Sequence, residues 1–498
     1  MPHEILRAVA LKLGANAMNK KFAAVAGTLA ACAAVPASAA DLPRAVYKAP
    51  PAAVTVYNWT GFHVGGGGGY GAFTNTELPS TTNNIFPHAA TTAGGKGGFA
   101  TIAAGYDLQF ASRWVAGVFA DYDFSDIKGE SIRFGEGVTA RKLTSSWAAG
   151  GRVGYLVSPG SLLYASAGYS QAEFENTRKG FRGGPWGSET GSRHDGWFVG
   201  AGIEALLGSN WFGRVEYRYA EYDTQRSSVL SDVGVLRSYN DSTPAIQTVR
   251  AGILYKFGGP GPGSAPVHAA PVLSPAFSWT GLYLGAGGGY GAYTSENNFQ
   301  FSSPPFAPPL NTLDSGGKGG LATVVVGYDM QFADRFVAGI FADYDFAGLE
   351  GTYTQYSPSL DQFSVGTLKQ TSAWAVGGRA GILVTPATLL YGTGGYTQAD
   401  FDSVAMVKST VNAPNFNPVQ PGATFKGWFA GAGAETQLAA NWSARLEYRY
   451  AEYDTERLLV PMLPTALVDA AELKPTIQTV RATINYKFGL GRGVTAKD

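Results

Sequence analysis

A strand-like segment that occurs twice constrains the fold of this chain more than any other feature. Residues 210–224 read NWFGRVEYRYAEYDT, and residues 441–455 read NWSARLEYRYAEYDT. In the first copy Val215 and Tyr217 alternate with charged neighbours such as Glu216. Successive side chains of a β-strand point to opposite faces, whereas a helix would mix these residues around its circumference. The segment therefore predicts a β-strand whose two faces meet different surroundings.

The same order of segments runs through the chain twice. WTGFHVGGGGGYGAF begins at Trp59, and WTGLYLGAGGGYGAY begins at Trp279. Towards the end of each copy, IQTVRAGILYKF closes at Phe257 and IQTVRATINYKF closes at Phe488. Self-similarity over so long a stretch indicates a tandem duplication, in which each repeat is one folding unit.

Each repeat contains eight strand-like segments, joined alternately by short turns and long connections. The offset between matching residues grows from 220 (279 − 59, Trp59 and Trp279) to 231 (481 − 250, Arg250 and Arg481), and every change falls inside a long connection. Loops tolerate length changes where their backbone is exposed, so the long loops share one end of the unit. This arrangement is typical of an eight-stranded antiparallel up-and-down membrane β-barrel. The segments of the first repeat are residues 59–73, 98–110, 114–124, 142–157, 162–174, 196–206, 211–222 and 246–257.

Composition and the N-terminal segment narrow the class further. Charged residues make up 15% of the chain, well below the roughly 25% of soluble domains. Basic and acidic residues number 37 each, so no nucleic-acid-binding surface is predicted. Residues 18–40 combine a cationic start, an apolar stretch and an A-x-A site, as in a secretory signal, with Met18 as the expected start. Beyond them no uncharged apolar run reaches about 18 residues, so no membrane-spanning helix is expected.

These observations define a domain organisation. The Pro- and Ala-rich stretches before each repeat carry no periodicity and are interpreted as tethers. The predicted order is a signal peptide (1–40), a periplasmic tether (41–58), barrel repeat 1 (59–257), a Pro/Gly/Ala-rich linker (258–275), barrel repeat 2 (276–488) and a C-terminal tail (489–498).

One face of the predicted strands collects acids and arginines in equal number, whereas the other carries Trp, Tyr and Val. In a bilayer the charged face must turn to the lumen, because Arg or Lys towards lipid costs about 2–4 kcal/mol at mid-bilayer. The predicted lumen charges are Asp107, Asp121, Arg152, Glu204, Arg214, Glu216, Arg218 and Arg250, with Asp329, Asp343, Arg379, Glu435, Arg445, Glu447, Arg449 and Arg481 in the second repeat.

An eight-stranded barrel is narrow enough for side chains to fill it. Because an unpaired buried charge is strongly destabilising, the lumen charges should form a mutually paired network. We therefore expect a plugged interior with little or no steady ion conductance. The alternative is a soluble barrel with its aromatic face inward and its charges in water, which explains the alternation but not the pairing of acids with arginines.

Three motifs carry a resemblance to a known family. WTGF-x-VGG, NW-x-x-x-x-EYRYAEYD and a final YKF resemble the alphaproteobacterial outer-membrane β-barrel proteins, described as porin-family or surface-antigen proteins and similar in architecture to OmpA/OmpX-type barrels. The resemblance implies an outer-membrane location and a last strand whose terminal aromatic residue is read by the barrel-assembly machinery. Phe257 and Phe488 hold that position. Family members usually carry one barrel and end at the aromatic residue, whereas here there are two repeats and residues 489–498 follow Phe488.

The duplication permits two eight-stranded barrels or one fused sixteen-stranded barrel with an open lumen. A fused barrel needs a short turn between its eighth and ninth strands. The linker of residues 258–275 is a poor candidate for such a turn, so two barrels are favoured.

No catalytic, cofactor or metal site is predicted, and the chain is not expected to be an enzyme. None of the five histidines recurs in the other repeat, and no helix pattern follows the G-x-G-x-x-G match in residues 65–71. Asp121 and Asp123 share a strand face, but the nearby arginines favour ion pairs over catalysis.

The expected role is a structural or surface-exposed outer-membrane protein; the alternatives are a diffusion porin and a soluble secreted binding barrel. The expected partners are outer-membrane lipid, the assembly machinery and an extracellular ligand of the loops, with no nucleic acid.

Overall fold

The computed structural model describes residues 58–81, 91–133, 137–179, 191–230, 236–257, 278–300, 313–357, 362–408, 419–462 and 467–488. The predicted signal peptide, linker and C-terminal tail lie outside these residues, as does the predicted tether up to residue 57. Among the described residues no helix is long and apolar enough to cross a membrane.

The first repeat consists of long antiparallel strands. A strand pair of this kind needs only alternation and a short turn, which the predicted segments provide. The strands are β1 (Gly61–Thr81), β2 (Thr91–Phe110), β3 (Trp114–Arg133), β4 (Gly137–Ser158), β5 (Ser161–Lys179), β6 (Ser192–Gly208), β7 (Trp211–Tyr222), β8 (Gln225–Leu230) and β9 (Leu236–Lys256).

The second repeat follows the same order, with three short additional strands between β14 and β18. Its strands are β10 (Gly281–Gln300), β11 (Leu313–Phe332), β12 (Phe336–Ser357), β13 (Gln362–Thr385), β14 (Thr388–Phe401), β15 (Val404–Ala405), β16 (Val407–Lys408), β17 (Val419–Gln420), β18 (Ala423–Ala439), β19 (Trp442–Tyr453), β20 (Glu456–Met462) and β21 (Leu467–Lys487).

The strand pairing returns to its starting strand within each repeat. Gly66 of β1 is the Cα partner of Ile102 in β2 and also of Ile253 in β9. In the second repeat β10 pairs in the same way with β11 and β21. Since β7 and β8 follow one another beside β9, eight strand positions complete the first ring. The predicted all-β antiparallel barrel fold is confirmed.

The glycine run of β1 brings neighbouring strands close together. A Cβ on Gly69 would collide with the carbonyl oxygen of Val249 and with the ring of Phe99. Only a residue without a side chain fits there, so the run is a packing feature of the barrel wall.

Short turns lie at one end of both repeats. Ala111 and Ser112 have φ values of 44° and 59°, and Ala333 and Asp334 have φ values of 47° and 61°. Positive φ at successive residues is the conformation of tight hairpin turns whose twist matches that of the strands. The matching turns therefore hold the same register in both repeats.

The strands are longer than the sequence predicts. The first segment was expected to end at residue 73, but β1 continues to Thr81 and pairs there with Ser238 of β9. Above residue 73 the lipid-facing apolar alternation stops, although the backbone ladder does not. Alternation marks only the part of a strand that separates two different environments, so the connection predicted at residues 74–97 is largely strand.

Candidate functional site

The two faces of the barrel wall differ in chemistry and in exposure. Val118 of β3 is 64% exposed on the outside, whereas Asp121 on the same strand is 8% exposed. Phe62 of β1 is 66% exposed, and Arg218 of β7 is 4% exposed. The charged face therefore lines the interior and the apolar face forms the outer surface.

The charged groups nearest the turn end of repeat 1 form one layer, here called the lower layer. Arg152 donates from Nε to Asp107 at 2.8 Å and from Nη1 to Glu204 at 2.9 Å. Lys256 lies 2.8 Å from Asp107 and 2.9 Å from Glu204, and Arg214 donates to Glu204 at 3.0 Å. The five residues come from β2, β4, β6, β7 and β9. Arg214 and Glu204 lie on neighbouring strands, whereas the other pairs tie together strands that do not pair directly.

A second group, the upper layer, lies towards the loop end. Arg218 donates to the two oxygens of Asp121 at 2.8 and 2.7 Å and to Glu216 at 2.8 Å. Arg250 donates to Asp123 at 2.9 and 2.7 Å. Two parallel N–H···O bonds between a guanidinium and a carboxylate combine charge with fixed geometry, which makes these pairs rigid.

The second repeat builds the same two layers. Arg379 joins Asp329 at 2.8 Å and Glu435 at 2.6 Å, and Arg449 joins Asp343 at 2.9 Å. All sixteen residues of the predicted set thus lie in ion pairs inside the two rings. The remaining pairs of repeat 2 involve Arg445 with Glu435, Arg449 with Glu447, Arg481 with Asp343 and Asp345, and Lys487 with Asp329.

Sequence reasoning left four charged members out of the set. Lys256 and its counterpart Lys487 belong to the lower layers, and Asp123 and Asp345 belong to the upper layers. Each lies an even number of positions from a residue that was included, for example Asp123 two after Asp121. Strand parity had already indicated ion pairing for Asp123, and it could have found the other three residues in the same way.

Apolar side chains close the interior below the lower layer. Trp59 is fully buried, packs against Phe212 with ring centroids 4.9 Å apart, and donates from its indole N–H to the carbonyl of Pro159 at 3.2 Å. Trp279 makes the corresponding bond to Pro386 at 3.3 Å. The WTG motif thus places an indole across the turn end of each barrel.

Beside and above the upper layer, a second apolar group lies in the interior of repeat 1. Arg218 lies 4.4 Å from the centroid of Phe198, in a cation–π contact that joins the charges to this group. Its members are Phe73, Phe99, Phe119, Ile127, Leu143, Ala148, Ala172, Phe174, Phe198, Ala220, Tyr222 and Ile246.

The space left between these groups is small. A cavity beside Asp123, Arg218 and Arg250 has a volume of about 10 Å³. A matching cavity beside Asp345 and Arg449 also measures about 10 Å³. Such a volume is about that of one water molecule.

Aromatic pairs form two belts on the outer surface. Near the turn end, Trp114 lies 5.2 Å from Tyr155. Towards the loop end, Trp147 lies 5.2 Å from Tyr169. Tyr122, in the upper belt, lies eight residues (122 − 114) after Trp114 along β3, which corresponds to about 20 Å of height for a strand tilted by ~40°. Interfacial aromatics at this separation are typical of a membrane-crossing wall.

The predicted assembly-signal residues lie together with the lower belt. The N–H of Phe257 donates to the carbonyl of Phe62 at 2.8 Å, and the N–H of Phe488 donates to Leu282 at 2.8 Å. Their rings are 50% and 44% exposed on the outer surface. Each terminal aromatic residue thus sits at the seam where the last strand meets the first.

Within the described part of the chain, no cluster of three or more His, Cys, Asp or Glu side chains has the arrangement of a metal site. The carboxylates of the interior are held by guanidinium and ammonium groups.

Both repeats match one family model, and named proteins are similar to part of the chain. A family model described as outer membrane protein beta-barrel domain matches residues 26–257 and again residues 263–488. The 31 kDa outer-membrane immunogenic protein of Brucella melitensis biotype 1 is 30% identical over 228 residues, covering 45% of this chain and 89% of that protein. The 22 kDa outer membrane protein of Rhizobium leguminosarum bv. viciae is 31% identical over 189 residues, covering 38% and 70%. The crystal structure of OprG from Pseudomonas aeruginosa aligns at 12% identity with a TM-score of 0.28, covering 43% of this chain and 98% of that chain.

Proposed function

This chain belongs to the family of outer-membrane β-barrel proteins, and we propose that it serves there as a structural and surface-exposed protein whose two barrels are plugged by their own side chains. On this proposal it is neither an enzyme nor a diffusion channel. The observation that carries the proposal is the cross-barrel ion-pair network, which leaves cavities of about 10 Å³ in the upper layers.

Electrostatics supports the plug. Most carboxylates of the two layers are matched by cationic groups from strands that do not pair with their own, as Glu204 is by Arg152 and Lys256. Opening a path for solutes would separate these pairs and leave buried charges alone, which is strongly unfavourable. The apolar groups around Trp59 and Phe198 would also have to part.

The extended strands support a role at the surface. A strand crosses a membrane with about 9–11 residues, whereas β1 has 21 and β9 has 21. The additional residues carry the loop end well beyond the upper aromatic belt. The Brucella relative is named an immunogenic protein, and by analogy we propose that the loop end of this chain faces the exterior and contacts an extracellular ligand.

Residues on the outer surface of the barrels suggest two further partners, outer-membrane lipid and the barrel-assembly machinery. The exposed apolar surface between the belts suits outer-membrane lipid. Phe257 and Phe488 are proposed as the residues read by the barrel-assembly machinery, with Phe257 acting from an internal position.

Conductance measurements test the plug. The purified full chain is reconstituted into planar bilayers, and folding is verified beforehand by heat-modifiable gel migration. The same chain, denatured by heat before reconstitution, is the control. We expect no stable current steps from the folded protein. Reproducible, long-lived steps that appear only with the folded protein would contradict the plug and favour a diffusion porin.

A further inference from the structure

Two lysines point outward from the barrel walls, where a membrane protein rarely places charge. Lys96 of β2 lies 2.8 Å from Thr476 and 3.3 Å from Glu296, both in the second repeat. Lys318 of β11, its counterpart 222 positions on (318 − 96), lies 3.1 Å from the hydroxyl of Tyr219 in the first repeat. Each lysine therefore finds its polar partners on the other barrel.

Aromatic contacts between the repeats occur in a matched pair. The ring of Tyr70 lies 5.6 Å from that of Tyr450, and the ring of Tyr219 lies 5.3 Å from that of Tyr290. Tyr70 corresponds to Tyr290 (290 − 70 = 220), and Tyr219 corresponds to Tyr450 (450 − 219 = 231). Exchanging the two repeats turns one contact into the other.

Two hydrogen bonds from backbone N–H groups to side chains of the other repeat are related by the same exchange. The N–H of Glu130 donates to Asp314 at 2.8 Å, and the N–H of Thr352 donates to Thr92 at 3.2 Å. Glu130 corresponds to Thr352, and Thr92 to Asp314, both with an offset of 222 (352 − 130 and 314 − 92). The side-chain acceptor and the distance differ between the repeats, but the donor and acceptor positions correspond.

Other positions meet their own counterparts. Ser161 and Thr388, which correspond with an offset of 227 (388 − 161), have their hydroxyl oxygens 2.8 Å apart. Ala93 and Ser315 are Cα partners across the two repeats. A residue that touches its own counterpart lies on a two-fold axis, and these contacts extend from the turn end to the loop end.

Close approach on this axis depends on small residues. A Cβ on Gly316 would lie 2.9 Å from the Cα of Gly94 and 3.1 Å from the carbonyl oxygen of Ala93. Both atoms belong to the other repeat. At Gly320, four positions later on the same outward face, the nearest atom to a Cβ would be the carbonyl oxygen of Gly289, at 3.9 Å.

From this set of reciprocal contacts we infer that the two barrels pack side by side as a two-fold related pair, joined through a self-complementary surface on each repeat. An isologous contact of this kind is the geometry of a homodimer, in which each subunit carries both halves of every contact. The partner that fits the surface is therefore a second copy of the same repeat. In this chain that second copy is the other repeat, to which the linker joins it. The inference does not depend on whether the barrel interiors conduct.

Disulfide cross-linking in the full chain tests the pairing. Ser161→Cys and Thr388→Cys are introduced together with Cys32→Ser, and a specific protease site is inserted within residues 258–275. After oxidation in the membrane and cleavage of the linker, we expect the two halves to migrate as one band until reductant is added. The control pair is Val118→Cys with Ile340→Cys, matching positions that are 64% and 51% exposed, and its halves should separate without reductant.

A second variant tests the close approach of the two barrels on the two-fold axis while both cysteines stay in place. Gly316→Val in the Ser161→Cys/Thr388→Cys background should slow cross-linking about tenfold or more, because the added side chain meets the other barrel's backbone. Gly320→Val should leave the rate unchanged. The inference is overturned if both barrels are heat-modifiable but the Ser161→Cys/Thr388→Cys halves separate without reductant, if the control pair cross-links equally well, or if the cross-links form only between different chains.

Discussion

At the residue scale, buried arginines determine how firmly each interior is held. Arg218 donates to Asp121 and to Glu216 and lies over the ring of Phe198.

The sequence predicted this role from strand parity, because Arg214, Glu216 and Arg218 occupy one face. Lys256 was missed, because the final YKF of the repeat was interpreted only as the assembly signal that ends at Phe257. Which acid pairs with which arginine depends on the register between strands, and a single sequence does not encode that register locally.

Replacing one such arginine should destabilise its own repeat. Arg218→Met keeps much of the side-chain volume but leaves Asp121 and Glu216 short of their partner. Breaking a buried pair from one side costs about 3–5 kcal/mol, so the midpoint of a urea unfolding titration in detergent should fall clearly. The control is Arg226→Met, whose pair with Asp241 is exposed and which should leave the midpoint unchanged. Equal midpoints for the two variants would contradict a stabilising network.

At the element scale, each strand has a membrane part and an extension. The membrane part could be predicted, because two environments impose a period of two on residues such as Val118 and Asp121. The extension could not, since its buried inward face carries polar residues such as Asn75 and Glu77, and the strand continues from residue 73 to Thr81 without an apolar alternation. The predicted connections were therefore too long and the predicted strands too short.

A charge on the outer wall should be tolerated in the extension but not between the belts. Val118→Arg places a guanidinium towards lipid, which costs about 2–4 kcal/mol at mid-bilayer. The protein should then assemble poorly and lose much of its heat-modifiable form in the outer-membrane fraction. Leu459→Arg is the control, because Leu459 is 56% exposed but lies on β20, beyond the membrane part. Comparable assembly of both variants would argue against the predicted position of the bilayer.

At the scale of the whole molecule, the duplication was evident from the sequence, and the outer-membrane location that the motifs implied is confirmed by the family and its named members. The contact between the barrels was not foreseen. Tyr70 and Tyr219 obey the same parity as the lipid-facing belt residues, so the sequence does not distinguish an aromatic that meets lipid from one that meets the other barrel. Only the outward Lys96 and Lys318 carried a local signal of this surface.

The sidedness of the wall underlies every proposal made for this chain, and site-directed spin labelling measures it directly. Labels are placed one at a time at residues 114–123 of β3 in the full chain, with Cys32→Ser, reconstituted into bilayers. Labels at Ala116, Val118, Ala120 and Tyr122 should collide readily with oxygen dissolved in the lipid, whereas labels at Val115, Gly117, Phe119 and Asp121 should be immobilised and reached by neither oxygen nor a water-soluble relaxation agent. The opposite phase, with the odd positions open to lipid or water and the even positions protected, would contradict a charged interior enclosed by an apolar wall.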